Sequence, residues 1–377
     1  MRLLLERAQG FALQAPRKHH VVPASYLARW GRKGVIRVTD LQTRKAYRSS
    51  PQKVARRTDY YRLESPDLDA ADVPPLLVEL ILGSIEGPAV QAINGLQEPG
   101  YPWLFERDPS KAVDMALFIA IQLTRGERYR AHGRALANHI FTLQNAEMSD
   151  EQIRRLLRAE RQDSAAVADA RRFLDGLKTG EYHVEPQQAV LVGEALQMGV
   201  DLAPLLFDRE WIIFRTMGRL VTTDEPVLML GGRGIPRTES GGIGTAGVIA
   251  FPLGPHRLLA MFRWDADVDD LLAWPVLDVE ETDALNVELI NHASRWVFES
   301  PSGTVGMNAP RRPVPPPFLT EEINIAGNRT LIRNWRPSPW YRSACPPPLP
   351  VARWWDHRRW PLPRPPPTRP VPGRDDL

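Results

Sequence analysis

The pattern of apolar and polar positions divides residues 17–305 into strand-like ends and a helical middle. Short alternating or β-branched runs, each interrupted by turn residues, predict antiparallel hairpins over residues 34–48, 211–223 and 247–262. Longer segments with helical spacing of apolar residues separate the first two hairpins. A further helix is expected over residues 279–292, followed by a short strand.

The helix boundaries follow from capping residues and from glycine and proline. A helix over residues 76–85 is expected to break or kink at Gly87-Pro88. A long helix is expected over residues 110–143. Ser149, with a glutamine three residues later, predicts a capping box that opens another helix.

These elements predict an α+β fold: a helical middle flanked by short antiparallel hairpins, plus an extended Pro-rich tail. The chain shows no regular βαβ alternation and no repeat of about 20–50 residues, which disfavours dinucleotide-binding folds, α/β barrels and solenoids. The expected organisation is an N-terminal extension at 1–16, a single domain at 17–305 and a Pro/Trp/Arg-rich tail at 306–377.

Composition changes the picture mainly at the C-terminus. Of the 36 prolines among 377 residues, 18 lie from Pro310 onward, together with five of the 11 tryptophans. From Arg311 onward, 12 arginines and 5 acidic residues give a net charge of +7, so the preceding part carries −4 although the whole chain carries +3. Proline removes backbone donors and favours polyproline II. We therefore expect an extended or partly disordered tail whose tryptophans dock on a protein or nucleic-acid partner.

The N-terminus and the single cysteine indicate the cellular compartment in which the protein is expected. The opening residues contain only a three-residue apolar run, too short for a secretory signal, and no uninterrupted apolar run approaches the roughly 18 residues of a membrane span. Cys345 alone excludes an internal disulfide or a cysteine-based zinc site. We expect a cytoplasmic protein without a membrane partner.

The segment from His19 to Trp30 is the most distinctive candidate for chemistry. His19 and His20 are adjacent, so strand geometry would turn one imidazole inward and the other outward. Either histidine could be a general base, a metal ligand or a phosphate partner. Equally, one could be a structural histidine bonded to backbone beside an exposed neighbour.

Three further positions carry candidate polar side chains. Glu86 is a carboxylate in an otherwise apolar helix, and Arg125 begins a basic stripe on the long predicted helix. Asp224 ends a predicted strand, where it could hold a divalent cation, act as a base, or cap its own turn. The next residue, Glu225, is expected to be exposed.

Several familiar motifs are excluded. A His-Pro segment before a hairpin invites comparison with ββα-metal nucleases, but no second histidine follows before residue 131. The G-x-G-x-x-G match at residues 242–247 is followed by strand-like residues instead of a helix, so a dinucleotide site is not expected. The chain contains no Walker A motif, G-x-S-x-G elbow or H-E-x-x-H pair.

Taken in order, these segments resemble a bacterial family catalogued as domain of unknown function 4238. Its hallmark is an H-H-x-V-P-x-x-Y-L segment, which this chain carries at residues 19–27. The similarity continues at Asp59-Tyr60-Tyr61, Ile85-Glu86, Phe118-Ile119-Ala120, Arg125, Trp211-Ile212-Ile213, Thr222-Thr223-Asp224-Glu225-Pro226, Phe251-Pro252-Leu253 and 286–298. Glu225 stands where the family has asparagine. The resemblance implies a shared domain over about residues 17–300 and names no reaction.

The residues leave two functions open, so the chain is not assigned as an enzyme by sequence. The first is a hydrolase for a phosphodiester or another anionic substrate, with His19, His20, Glu86, Arg125 and Asp224 as catalytic residues and a divalent metal as an optional cofactor. The alternative is a binding or regulatory protein, associated with defence or toxins, that works through the basic tail.

Overall fold

The computed structural model describes residues 17–63, 74, 77–145, 147–158, 164–232, 234–325 and 329–360. The predicted N-terminal extension and the last part of the tail, from residue 361, lie outside the described residues. The helices in the described ranges are α1 (Ala24–Leu27), α2 (Leu77–Gly95), α3 (Trp103–Arg107), α4 (Pro109–Thr124), α5 (Glu127–Asn145), α6 (Asp150–Leu157), α7 (Ser164–Thr179), α8 (Gln188–Phe207), α9 (Asp269–Ala273), α10 (Val279–His292) and α11 (Val305–Asn308).

The strands form two larger sheets and two separate strand pairs. They are β1 (Lys18–His20), β2 (Ile36–Asp40), β3 (Lys45–Ser49), β4 (Arg56–Thr58), β5 (Glu210–Thr216), β6 (Thr222–Thr223), β7 (Leu228–Leu230), β8 (Val248–Gly254), β9 (Arg257–Phe262), β10 (Val276–Leu277), β11 (Trp296–Glu299), β12 (Leu319–Ile325) and β13 (Arg329–Trp335). One sheet has the order β10-β5-β9-β8-β7, and the other β3-β2-β11-β6. Pairing is antiparallel except between β10 and β5. The expected α+β class is confirmed.

The five-stranded sheet is buried on both faces, which explains why its strands read as continuous apolar runs. Alternate residues such as Phe251 and Met261 join a core shared with α2, α4 and α8. Their neighbours, such as Phe262, join a second core that includes α10 and tail residues. Side chains alternate across a strand, so one apolar run supplies both cores.

The tail covers the second face of this sheet as far as Trp360, which differs from the extended state expected for residues 306–377. Trp354 is fully buried and lies 5.4 Å from the Phe214 ring and 5.6 Å from the Phe262 ring, between ring centroids. Arg359 pairs with Asp270 at 2.6 Å. The apolar sheet face outweighs the local preference of proline for extended chain, because burial of a tryptophan removes a large apolar area from water.

The hairpin predicted over residues 211–223 does not form. β5 pairs with β9 and β10, whereas β6 pairs with β11 in the other sheet. The Asn286 side chain accepts from the Val221 N–H and donates to the Arg219 carbonyl, and the Trp30 indole donates to the Leu220 carbonyl. Side chains from distant segments therefore occupy the backbone groups that the hairpin would have used.

Helix boundaries with local capping were predicted best. The helix over 279–292 and the capping box at Ser149 are confirmed. The helix predicted over residues 76–85 corresponds to α2, which continues through Pro88 to Gly95 instead of breaking at Gly87-Pro88. By length and composition alone, α8 could span a membrane, with a mean hydropathy of 1.5 and 28% of its window buried. A single such helix is weak evidence, because core helices meet the same criterion.

Candidate active site

Arg125 stands at the centre of a polar cluster inside the first core. It follows the last turn of α4, and its side chain is 2% exposed. Its Nε donates to the Val21 carbonyl at 2.9 Å and its Nη2 to the His20 carbonyl at 3.1 Å. Its Nη1 donates to Glu86 Oε1 on α2 at 2.6 Å. Arg125 thus joins the histidine segment to the helix carboxylate, and most of its donors are already used.

The two histidines face opposite ways, as strand alternation predicts. His19 is 2% exposed, and its ring stacks on Tyr61 with an interplanar angle of 4°. The Tyr61 backbone N–H donates to His19 Nδ1 at 2.8 Å, so the proton of a neutral ring lies on Nε2. His19 therefore orders the turn that follows β4, and this contact matches the structural role considered from sequence.

His20 is partly exposed and lies on the outer side of the same cluster. Arg56 Nε donates to its Nε2 at 3.1 Å, and the Gln52 carbonyl lies 3.2 Å from the same atom. Burial, and next the positive charge of Arg56, lower the pKa of His20 below 6.5. The ring is therefore neutral at pH 7 and can accept a proton.

Glu79 belongs to the cluster and was missed by sequence reasoning. Its Oε1 lies 3.7 Å from His19 Nδ1. Burial raises the pKa of Glu79 to about 7, Arg125 acts in the opposite direction, and the negative charge of Glu86 raises it further. Glu79 and Glu86 are seven residues apart on α2, which places them on one face of the helix. That spacing was visible in the sequence and could have found Glu79.

Asp224 lies in a second group, together with Glu225, which we call the carboxylate pair. Its Oδ1 accepts from the Ser294 N–H at 3.0 Å, and its Oδ2 accepts from the Arg295 N–H at 2.8 Å. Burial raises the pKa of Asp224 to about 6 despite these hydrogen bonds. Its carboxylate thus orders the turn between α10 and β11. Its hydrogen bonds do not go to the polar cluster of His19, His20 and Arg125, which we call the histidine cluster.

Glu225 is 4% exposed, so its predicted exposure is wrong. Its Oε1 accepts from the Arg128 N–H and from Ser294 Oγ, both at 2.9 Å. A Cβ on Gly126 would lie 2.1 Å from Glu225 Oε2. The carboxylate therefore occupies the space beside Gly126, where the single helix expected over 110–143 breaks into α4 and α5. Burial, and next Asp224, raise the pKa of Glu225 to about 7.

The structure thus brings His19, His20, Glu86 and Arg125 together with Glu79, and it places Asp224 in the carboxylate pair. Throughout the described residues, no three His, Cys, Asp or Glu side chains are grouped so that they could hold a metal ion. The divalent metal stays a prediction. The catalytic role of each residue stays a prediction.

The fold and the cluster define an α+β protein in which a buried arginine joins a histidine strand to a helix carboxylate. The chain belongs to the family described as "Protein of unknown function (DUF4238)", whose model matches residues 18–303. The match ends before the tail begins. No match was found among curated proteins, and none among solved structures.

Proposed function

We propose that the protein is a hydrolase of a phosphodiester or a related anionic ester, acting at the outer side of the histidine cluster. The observation that supports this most is the set of Arg125 hydrogen bonds, because they fix the backbone of the histidine strand to the Glu86 carboxylate on α2. Titratable groups with pKa values moved toward neutrality, in partly exposed positions, are typical of acid–base catalysis.

The proposed roles follow from protonation and exposure. Arg56, which is exposed, exchanges its hydrogen bond to His20 for an anionic oxygen of the substrate. His20 takes a proton from water, and the resulting hydroxide attacks phosphorus. Glu79, whose pKa burial raises to about 7, gives its proton to the leaving oxygen as the ester bond breaks. Arg125 is a positioning residue because its donors are used within the protein.

Hydrolysis of bis(4-nitrophenyl) phosphate by the full chain tests this proposal. We expect Glu79→Gln and His20→Gln each to lower kcat/KM on the order of 100-fold at pH 7. The matched control Glu106→Gln removes an exposed carboxylate and should leave the rate unchanged. Parallel reactions with EDTA or added magnesium test the divalent metal. No turnover by the wild type, or full activity in both variants, would contradict the proposal.

The alternative is a protein that binds a protein or nucleic acid through its basic tail. Trp340 and Trp354 are buried against the rest of the chain, which leaves fewer aromatic side chains for a partner. This favours the hydrolase. Cytoplasmic localisation is part of the proposal, since the pKa of Glu79 lies at about 7.

A further inference from the structure

A cavity of about 340 Å³ lies between the family domain and the tail, and its lining residues do not include those of the histidine cluster. One wall is formed by β7 and the loop that follows it, and the opposite wall by tail residues 336–349. Arg128 from α5 and the C-terminal part of α10 complete it. We call it the tail cavity. Its volume is in the range of small-molecule sites, roughly 300–1,000 Å³.

Two arginines of the tail cavity lack a carboxylate partner. Arg128 donates through Nη1 to the His292 carbonyl at 3.2 Å, and among the described residues no hydrogen bond involves the Arg336 side chain. Neither forms an ion pair within the described part of the chain. A third arginine, Arg237, differs because it pairs with Glu288. The cavity therefore contains two positive charges that no carboxylate neutralises by contact.

The negative charge of Glu225 does not change this conclusion. Glu225 acts on both arginines through space, but its Oε1 is used by the Arg128 backbone N–H and by Ser294. His292 adds no charge at neutral pH, because burial and the two arginines hold its pKa well below 6.5. Partly buried guanidinium groups without a counter-ion are costly, and an anion between them would remove that cost.

The lining also includes two carboxylates, each already paired with an arginine, Glu288 with Arg237 and Glu239 with Arg333, and an apolar part. Leu230, Ile235, Pro347 and Leu349 face the same space. The polar hydroxyls nearby are already used, since Ser338 donates to the Arg237 carbonyl and Ser240 to the Pro337 carbonyl. A ligand that fits this lining has a doubly charged head for two guanidinium groups and an apolar body for the opposite wall.

We propose that the tail cavity binds a small organic phosphate, with the phosphate between Arg128 and Arg336 and an apolar group against the proline-rich wall. Planar guanidinium groups bind phosphate oxygens in a bidentate manner. Since Arg336 and the wall at 346–349 lie outside the residues that match the family model, 18–303, the tail supplies half of the site. The site does not depend on the proposed hydrolase.

Isothermal titration of the full chain with phenylphosphonate tests the proposal, because its carbon–phosphorus bond resists hydrolysis. We expect saturable binding with one site, weaker binding of inorganic phosphate, and none of benzyl alcohol. Arg336→Gln should weaken binding at least about tenfold, as loss of charge-assisted hydrogen bonds predicts. The control Arg342→Gln removes an exposed tail arginine outside the cavity and should bind like the wild type.

Other results would overturn the proposal. Absence of phenylphosphonate binding to the wild type would do so, as would equal loss in the Arg336 and Arg342 variants, which would indicate general attraction to a basic tail. If Arg336→Gln melts early by circular dichroism, Arg336→Lys replaces it. That variant keeps the charge and should bind with intermediate affinity, whereas unchanged affinity would show that the guanidinium does not contact the ligand.

Discussion

Replacing Glu225 by glutamine should change stability in a way that depends strongly on pH. Glutamine keeps the Oε1 atom that accepts from the Arg128 N–H and from Ser294 Oγ, so the local hydrogen bonds survive. It removes a carboxyl group that is 4% exposed and adjacent to Asp224. The change is chemically close to the asparagine that the family resemblance expects at this position.

The magnitude follows from proton linkage. The pKa of Glu225 rises from 4.5 to about 7 on folding, so the folded protein binds this proton more tightly than the unfolded chain. That contribution to stability is fully present below pH 4.5 and is lost as the pH rises through about 7. At about 1.36 kcal/mol per pH unit, the loss between pH 5 and pH 8 is about 2 to 3 kcal/mol. Glutamine cannot ionise, so the variant avoids this loss.

Urea unfolding at pH 5 and pH 8 measures the effect. The free energy of unfolding of Glu225→Gln, relative to wild type, should increase by about 2 to 3 kcal/mol between the two pH values. Glu106→Gln, which changes an exposed carboxylate, should show no such increase. An equal difference from wild type at both pH values would refute the reasoning, because it would mean that Glu225 does not hold its proton in the folded state.

Two further substitutions test the contacts that shape the fold. Trp354→Ala should destabilise the protein by about 3–5 kcal/mol in urea unfolding, because the ring is fully buried against Phe214 and Phe262. The control Trp274→Ala changes a residue that is 68% exposed and should lower the free energy of unfolding little. If the tail docks only weakly, the two variants should lower the free energy of unfolding by equal amounts, which would contradict this prediction. Gly126→Ala should destabilise by about 1–3 kcal/mol, because its methyl group would overlap the Glu225 carboxylate. Gly193→Ala, which meets no atom within 4 Å, should be neutral or stabilising by comparison.

The candidate site was only partly readable from the sequence. The adjacent histidines, Glu86 and Arg125 stood out as polar residues in apolar segments, and the structure does bring them together. Glu79 was not recognised, because its pKa depends on burial and on neighbours from other segments. The carboxylate of Asp224, assigned to the same site, accepts from the Ser294 and Arg295 backbone amides, a contact that joins positions about 70 residues apart, and its catalytic role stays a prediction.

The sequence by itself determined what depends on neighbouring residues: the α+β class, the helix over 279–292, the capping box at Ser149 and the alternation of His19 and His20 across a strand. Helix caps and strand alternation act over a few residues, so the local pattern is enough. Only the tertiary structure decided the break at Gly126, the loss of the hairpin at 211–223 and the docking of Trp354. Each results from a part of the chain that is far away in sequence. Glu225 acts at Gly126, Asn286 at the expected hairpin, and the apolar face of the five-stranded sheet on Trp354. In each case the effect on free energy exceeds the local preference of the chain.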